Sequence, residues 1–165
     1  MAKKIIIADA GPLIAFGRIH FLELLPKIVG TIIIPKTVAT ECLADISKPG
    51  ALAIQKAITK KIIQVHADIK GDAYDELSDI LGEGESLAIE LALKLKAGLL
   101  IDEKLGRSAA QKRHLKIIGT AGVLLLAKQK KLIKKILPVI QELKKAGYYL
   151  SPELIKEIAK QAKEN

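Results

Sequence analysis

Short apolar runs alternate along the chain with longer stretches in which apolar residues recur at helical spacing. Runs of the first kind predict buried strands, and stretches of the second kind predict amphipathic helices. The predicted strands cover 4–9, 31–34, 62–65, 99–102 and 116–118. The predicted helices cover 12–25, 38–46, 51–61, 85–96, 103–114, 121–132, 136–146 and a C-terminal segment from 151. The polar stretch 66–82 gives no clear element.

This alternation predicts an α/β fold. The strands are apolar throughout, which is typical of a parallel sheet with both faces covered, and parallel neighbours need crossover helices. We therefore expect a three-layer α/β/α sandwich with a small parallel sheet, formed as one domain over 1–165. The helices in 136–165 are expected to pack on this domain or to form a dimer contact. In such sheets ligands bind beyond the carboxyl ends of the strands.

Acidic residues fall at that predicted edge. Asp9 ends the first strand and Asp102 ends the strand 99–102, so parallel pairing would bring the two carboxylates to one side of the sheet. Glu85 begins the helix that leads into that strand, and it shares the inward face of Ala88 and Ala92. We expect all three acids to converge.

Glu41 is a fourth candidate, because it lies in the helix after the strand 31–34, and such helices begin at the same edge. Each acid alone has an ordinary structural explanation: a strand end, a helix N-terminus, a helix cap or a solvated surface. Four of them at one edge would repel one another unless cations or protons intervened. Hard divalent ions such as Mg²⁺ or Mn²⁺ suit an all-oxygen cluster and can activate water.

The charge balance points to a polyanionic partner. Lys and Arg number 27 against 18 Asp and Glu, giving a net charge of +9. Nucleic acid is the first candidate, although many lysines occur in pairs that solvated helix faces would also explain. Aromatic residues make up only 3% of the chain, and Trp is absent. This composition disfavours a stacking platform for unpaired bases, so RNA binding would depend on phosphate contacts and on salt.

Cysteine, histidine and hydropathy exclude other classes of protein. Cys42 is the only cysteine, so the chain forms no internal disulfide, which favours a reducing cytoplasmic location. His20, His66 and His114 match no zinc-binding spacing. The longest apolar run, 121–127, is far shorter than the roughly 20 residues that cross a bilayer, so no membrane partner is expected.

Several short segments, in order along nearly the whole chain, carry a family resemblance. They are Asp9-Ala10-Gly11-Pro12-Leu13-Ile14, the stretch 35–41, Gly82-Glu83-Gly84-Glu85, Ile101-Asp102-Glu103 with Gly106-Arg107, and Gly119-Thr120. Together they resemble PIN-domain proteins, and more narrowly the DUF3368 branch, which is similar to VapC-type toxin ribonucleases. The resemblance implies a PIN-like fold and a metal-dependent endoribonuclease with an acidic pocket for Mg²⁺ or Mn²⁺.

The resemblance also implies roles for single residues. Asp9, Glu41 and Asp102 match the conserved acids of the family, and Glu85 replaces a third acid that is usually Asp. These four acids would hold or orient the metal ion and a water molecule. That water would attack an RNA phosphodiester in line. VapC-like proteins usually form homodimers and are held inactive by an antitoxin protein, so the resemblance implies a homodimer and an antitoxin partner here.

Two candidate substrate-binding residues accompany the acids. Thr120 could hydrogen-bond the water or an acid, or only cap its helix. Arg107 could bind a phosphate, or only form an ion pair.

The sequence departs from the family pattern at two places. Ala10-Gly11 lacks the hydroxyl or amide that many active relatives carry shortly after the first Asp. Glu85 is one methylene longer than Asp, and Glu83 could compete for its role. Both departures affect the expected rate of RNA cleavage and the expected number of bound metal ions.

Two other functions are compatible with these residues. Asp9 could accept a phosphoryl group, although Asp9-Ala10-Gly11 lacks the second Asp of a DxD start. A PIN-like fold could also act without catalysis, as a module that docks RNA or a protein.

Overall fold

Five parallel strands and ten α-helices form the fold in the computed structural model, which describes residues 4–165. The strands are β1 (Ile5–Ala8), β2 (Thr31–Pro35), β3 (Ile63–His66), β4 (Gly98–Leu100) and β5 (Ile117–Ile118). The helices are α1 (Ala10–Arg18), α2 (Leu25–Val29), α3 (Lys36–Cys42), α4 (Pro49–Thr59), α5 (Asp72–Leu77), α6 (Glu83–Leu95), α7 (Lys104–Lys112), α8 (Thr120–Gln129), α9 (Leu137–Lys145) and α10 (Pro152–Gln161). The predicted α/β class is confirmed.

The strand order is β3-β2-β1-β4-β5, and every neighbouring pair is parallel. β1 is therefore central, and the chain moves outward from it first on one side and then on the other. The crevice between β1 and β4 is the switch point of the sheet, where α/β proteins place their ligands. Asp9 and Asp102 follow these two strands.

Alternating side chains of the strands supply two hydrophobic cores, one on each face. Ile6 and Ala8 of β1 pack in the larger core with residues of α1, α2, α4 and α8 to α10. Ile7 points to the opposite face and packs with residues of α5, α6 and α7. Because successive strand residues face opposite sides, both faces of the sheet are covered. The predicted three-layer sandwich is therefore confirmed.

The C-terminal helices contribute to the larger core. Ile140 and Leu143 of α9 and Ile158 of α10 are buried in it. Ser151 caps α10 by accepting a hydrogen bond from the Leu154 amide at 3.1 Å. No helix among residues 4–165 has the length and apolar character needed to cross a membrane.

The structure corrects one predicted helix and adds another in a stretch where no element was predicted. The helix predicted over 12–25 is interrupted: α1 ends at Arg18, His20 adopts a φ of 58°, and a 3₁₀ turn precedes α2. The interruption lets the ring of Phe21 fold back against Phe16, with the ring centroids 5.4 Å apart. The polar stretch 66–82 also contains a helix, α5, which is held to α6 by burial of Leu77.

Candidate functional site

Asp9 lies at the centre of the candidate site, between the end of β1 and the start of α1. Its backbone amide donates to the Leu100 carbonyl of the neighbouring strand at 2.9 Å, which fixes the residue at the switch point. Its side chain is only 8% exposed and caps no helix amide. Burial, and then the nearby charges of Glu41 and Asp102, raise the pKa of the carboxyl to about 6. A buried carboxylate with these neighbours is stabilised by a cation or a proton.

Glu85 reaches the same region from the first turn of α6. Its Oε2 is buried, and no described residue provides that atom with a hydrogen-bond partner. Burial, followed by the charges of Asp9 and Glu103, raises the pKa of the carboxyl to about 7. A buried acceptor without a partner is costly, so an ion or a hydrogen-bond donor bound at Oε2 would stabilise the folded state. Glu85 can therefore bind a ligand that donates a hydrogen bond or carries a positive charge.

Glu41 approaches the site from the last turn of α3 and lies against Gly84 at the start of α6. A Cβ atom at position 84 would be 2.4 Å from Oε2 of Glu41 and 2.6 Å from Oε1, so only glycine leaves room for this carboxylate. Partial burial and the charge of Glu83 raise the pKa of Glu41. Glu83 itself pairs with Lys70 at 3.8 Å on the surface, so it points away toward solvent.

Asp102 is held by hydrogen bonds on both carboxylate oxygens. The amide and hydroxyl of Thr120 donate to it at 2.7 and 2.6 Å, and the Tyr148 hydroxyl donates to Oδ2. Burial and then the hydrogen bond to Asp102 raise the pKa of the Tyr148 phenol, so this group stays a donor. Asp102 therefore has a fixed orientation.

Arg107 of α7 lies beside Asp102. Its Nη1 donates to the Ile101 carbonyl at 3.0 Å, and within residues 4–165 the guanidinium forms no ion pair. Gly119 permits this approach, because a Cβ there would lie 2.7 Å from Arg107 Nη1 and 2.8 Å from Asp102 Oδ1. The cation keeps donor capacity for a further anion.

Two residues of the site went unrecognised in the sequence. Glu103 caps α7 by accepting from the Gly106 amide at 2.8 Å, a bond that lowers the pKa of Glu103, and its charge acts on both Asp9 and Glu85. Its position directly after Asp102 was a usable signal. Tyr148 carried no such signal, because it lies 46 residues from Asp102 in the sequence.

The four predicted acids and Glu103 thus form one electrostatic group, but they are not drawn into a single coordination sphere. Over residues 4–165, no three Asp, Glu, His or Cys side chains lie close enough together to hold one metal ion. The chemistry of the donors nevertheless fits a hard divalent ion, because they are carboxylate oxygens and Oε2 of Glu85 lacks a partner. Asp9, Glu41 and Glu85 are the residues that would hold such an ion.

Cys42 has no part in this chemistry. It is buried in α3, and burial, followed by the charges of Asp9 and Glu41, raises the pKa of its thiol to about 12. A thiol this weakly acidic stays protonated near neutral pH and is not a nucleophile there.

Comparison with known proteins adds a family match to this geometry. The model of DUF3368, described as a PIN domain, matches residues 5–164. No curated protein is similar enough to match. Among solved structures, a domain of a functionally unknown protein from Methanocaldococcus jannaschii DSM 2661 is 20% identical, with a TM-score of 0.49 over 70% of this chain and 90% of that one. A PilT N-terminus domain protein from Sulfolobus solfataricus P2 is 16% identical, with a TM-score of 0.41 over 89% of this chain and 97% of that one.

Proposed function

Because the chain belongs to the PIN domain family DUF3368, we propose that it is a metal-dependent endoribonuclease that hydrolyses phosphodiester bonds of RNA. PIN domains are generally nucleases. The observation that carries the proposal is the buried, unpartnered Oε2 of Glu85 at the switch point of the sheet, beside the carboxylates of Asp9 and Glu103. The net charge of +9 supports a polyanionic substrate.

A Mg²⁺ or Mn²⁺ ion bound by Asp9, Glu41 and Glu85 would supply charge neutralisation and a more acidic water. The chain's own residues supply the rest of the mechanism. In the metal-free protein the raised pKa of Glu85, about 7, favours a proton on this carboxyl near neutral pH, and a bound ion would displace that proton. Arg107 keeps donors free for a phosphate oxygen. Thr120 and Tyr148 hold Asp102 in one orientation, so that its charge stays directed at the site.

Cleavage of a labelled single-stranded RNA tests this function. Wild type, Asp9→Asn and the exposed control Asp79→Asn would each be assayed with Mn²⁺, with Mg²⁺ and with EDTA. We expect cutting by wild type and Asp79→Asn in the presence of metal only, and none by Asp9→Asn. If the wild type does not cut in either metal, or if EDTA leaves cutting unchanged, the proposed function is wrong.

A second candidate function, an RNA-binding or protein-binding module without catalysis, has one observation in its favour. The acids of residues 4–165 do not gather closely enough to hold an ion without rearrangement. This function predicts that RNA affinity survives both EDTA and Asp9→Asn and falls only with salt. Titration calorimetry with Mn²⁺ separates the two functions, because the nuclease requires an affinity for the ion that Asp9→Asn removes.

Association with an antitoxin protein and formation of a homodimer stay predictions of the family resemblance. Light scattering coupled to gel filtration tests the homodimer, which requires about twice the 17.8 kDa mass of the chain. A single peak at the chain mass across micromolar concentrations would contradict it. A toxin role requires growth arrest that depends on Asp9.

A further inference from the structure

A groove of about 500 Å³ opens directly beside Asp102. Its lining includes Asp102, Arg107, Tyr148 and Tyr149 of the segment between α9 and α10, and Leu154 of α10. Ligand pockets in proteins commonly have volumes of roughly 300–1,000 Å³. The groove is therefore large enough for a part of a substrate that extends beyond the acidic site.

The segment between α9 and α10 is attached to the acidic site. The Tyr148 hydroxyl donates to Asp102, and the Tyr148 amide donates to the Leu143 carbonyl at 2.9 Å. Leu150, two residues after Tyr148, is buried in the core. Tyr149 lies between these two anchored positions, so its backbone has a defined place at the edge of the groove.

The side chain of Tyr149 is not used by the fold. It is 76% exposed, although its neighbours Tyr148 and Leu150 are half-buried and buried. Leu154, on the first turn of α10, leaves a further 39% of an apolar side chain exposed along the same groove. An aromatic ring held at the edge of a cleft offers a face on which a planar group can stack.

The positive charge of Arg107 in the groove indicates which class of ligand carries that planar group. Arg107 projects a guanidinium that forms no ion pair within residues 4–165, and the chain as a whole carries +9. A cation and an exposed aromatic ring that line one groove match a nucleotide, which carries a phosphate and a base. An acidic or apolar peptide would use only one of the two features.

We propose that this groove binds one unpaired nucleotide of a single-stranded RNA, with its base stacked on Tyr149 and its phosphate at Arg107, next to the bond presented to the acidic site. The inference rests on the proposed function in taking RNA as the substrate. It selects single strands, because in a duplex both faces of each base are already stacked on neighbouring bases. Low aromatic content argued against a stacking platform, but here two of the chain's three tyrosines lie together at the groove.

Fluorescence anisotropy of a labelled single-stranded RNA 12-mer and of the matching duplex tests the inference. The titrations use wild type, Tyr149→Ala, Tyr149→Phe and Ile80→Ala in EDTA, so that binding is measured without cleavage. Ile80 is a suitable control because it is 66% exposed and does not line the groove. We expect Tyr149→Ala to weaken single-strand binding roughly 5- to 100-fold, as loss of one stacked base does. Tyr149→Phe and Ile80→Ala should bind like wild type, and duplex binding should be the same for all four proteins.

Three results would overturn the inference. They are wild-type affinity in Tyr149→Ala, equal losses for single strand and duplex, and no binding of the single strand by wild type at about 0.1 M salt. The first would also be the result if the groove binds a protein instead. Because no step needs metal, a failure of the cleavage assay leaves this test valid, and a failure here leaves the proposed hydrolysis standing.

Discussion

Asp102 accepts two hydrogen bonds from one residue, Thr120, whose amide donates at 2.7 Å and whose hydroxyl donates at 2.6 Å. Asp68 and Thr37 repeat this arrangement, with amide and hydroxyl distances of 3.0 and 2.5 Å. In both pairs the Asp follows one strand and the Thr lies in the first turn of the helix after the neighbouring strand. The two pairs therefore tie adjacent strand ends together on both sides of the switch point.

Thr120→Val should lower the free energy of unfolding by about 1.5–3 kcal/mol, because it removes a hydrogen bond to a carboxylate at a fully buried side chain. Urea denaturation measures the change. Thr40→Val is the control, since the exposed Thr40 hydroxyl bonds only to the Lys36 carbonyl of its own helix. Equal losses in the two variants would show that the Asp102 contact contributes nothing.

Gly84→Ala should separate activity from stability. The added Cβ would lie 2.4 Å from Glu41 Oε2, and a flexible side-chain end moves more easily than a helix, so the carboxylate is displaced. Because a misplaced group can cost roughly 100-fold in rate, we expect RNA cleavage to fall at least about tenfold. The free energy of unfolding should stay the same or rise, as alanine favours the helix.

Gly11→Ala is the matched control for this variant, because a Cβ at position 11 meets no atom within 4 Å. Its cleavage rate should equal that of the wild type. A fully active Gly84→Ala would mean that Glu41 takes no part in the reaction.

The metal-free protein should lose stability as pH rises from about 4 to 7. Folding raises the pKa of Asp9 from 3.8 to about 6 and that of Glu85 from 4.5 to about 7, so protonated carboxyls favour the folded state. This contribution is fully present below the unfolded pKa values and disappears as pH passes the folded ones. For the buried Asp9 this contribution to the free energy of unfolding amounts to about 3 kcal/mol.

Thermal unfolding in EDTA at pH 5 and pH 8, repeated with Mn²⁺, measures this dependence. We expect a lower melting temperature at pH 8 in EDTA, recovery of it with Mn²⁺, and a smaller difference between the two pH values in Asp9→Asn. A melting temperature that Mn²⁺ does not change at pH 8 would argue against metal binding by these acids.

Glu164 fastens the C-terminus, and its removal should destabilise the fold. Its carboxylate, 6% exposed, accepts from Lys128 Nζ at 2.9 Å and from the amides of Ile136 and Leu137 at 2.8 and 3.2 Å. Burial alone would raise its pKa, but these bonds outweigh burial and lower it. Its contribution to stability is therefore present above pH 4.5 and is lost as pH falls through the lowered pKa.

Glu164→Gln should cost about 2–4 kcal/mol of unfolding free energy at pH 7, because it leaves Lys128 without its anionic partner. The exposed Glu142→Gln on α9 should cost under about 0.5 kcal/mol. Urea denaturation of both variants makes the comparison. Equal small losses would show that α10 is held by its apolar face alone.

The acidic edge was predictable in part. The apolar runs locate β1 and β4, and residues that directly follow parallel strands must share one edge, so Asp9 and Asp102 could be placed from the sequence. Glu103, although adjacent to Asp102, was predicted only as the first residue of the helix 103–114, and the structure makes it the N-cap of α7. The effect of the Glu103 charge on the pKa of Glu85 depends on the packing of α6 against α7, which only the structure shows.

What the sequence determined by itself is the order and type of the elements, since the spacing of apolar residues follows the period of each strand and helix. It also determined the parallel sheet and which acids follow its strands. The tertiary structure decided contacts between distant segments, such as Tyr148 with Asp102 and Glu164 with the start of α9. No local pattern encodes these contacts, because each depends on the relative position of helices packed 28 or more residues apart. For the same reason, only the folded chain shows that Glu85 Oε2 is buried without a partner and that Tyr149 is left exposed beside the site.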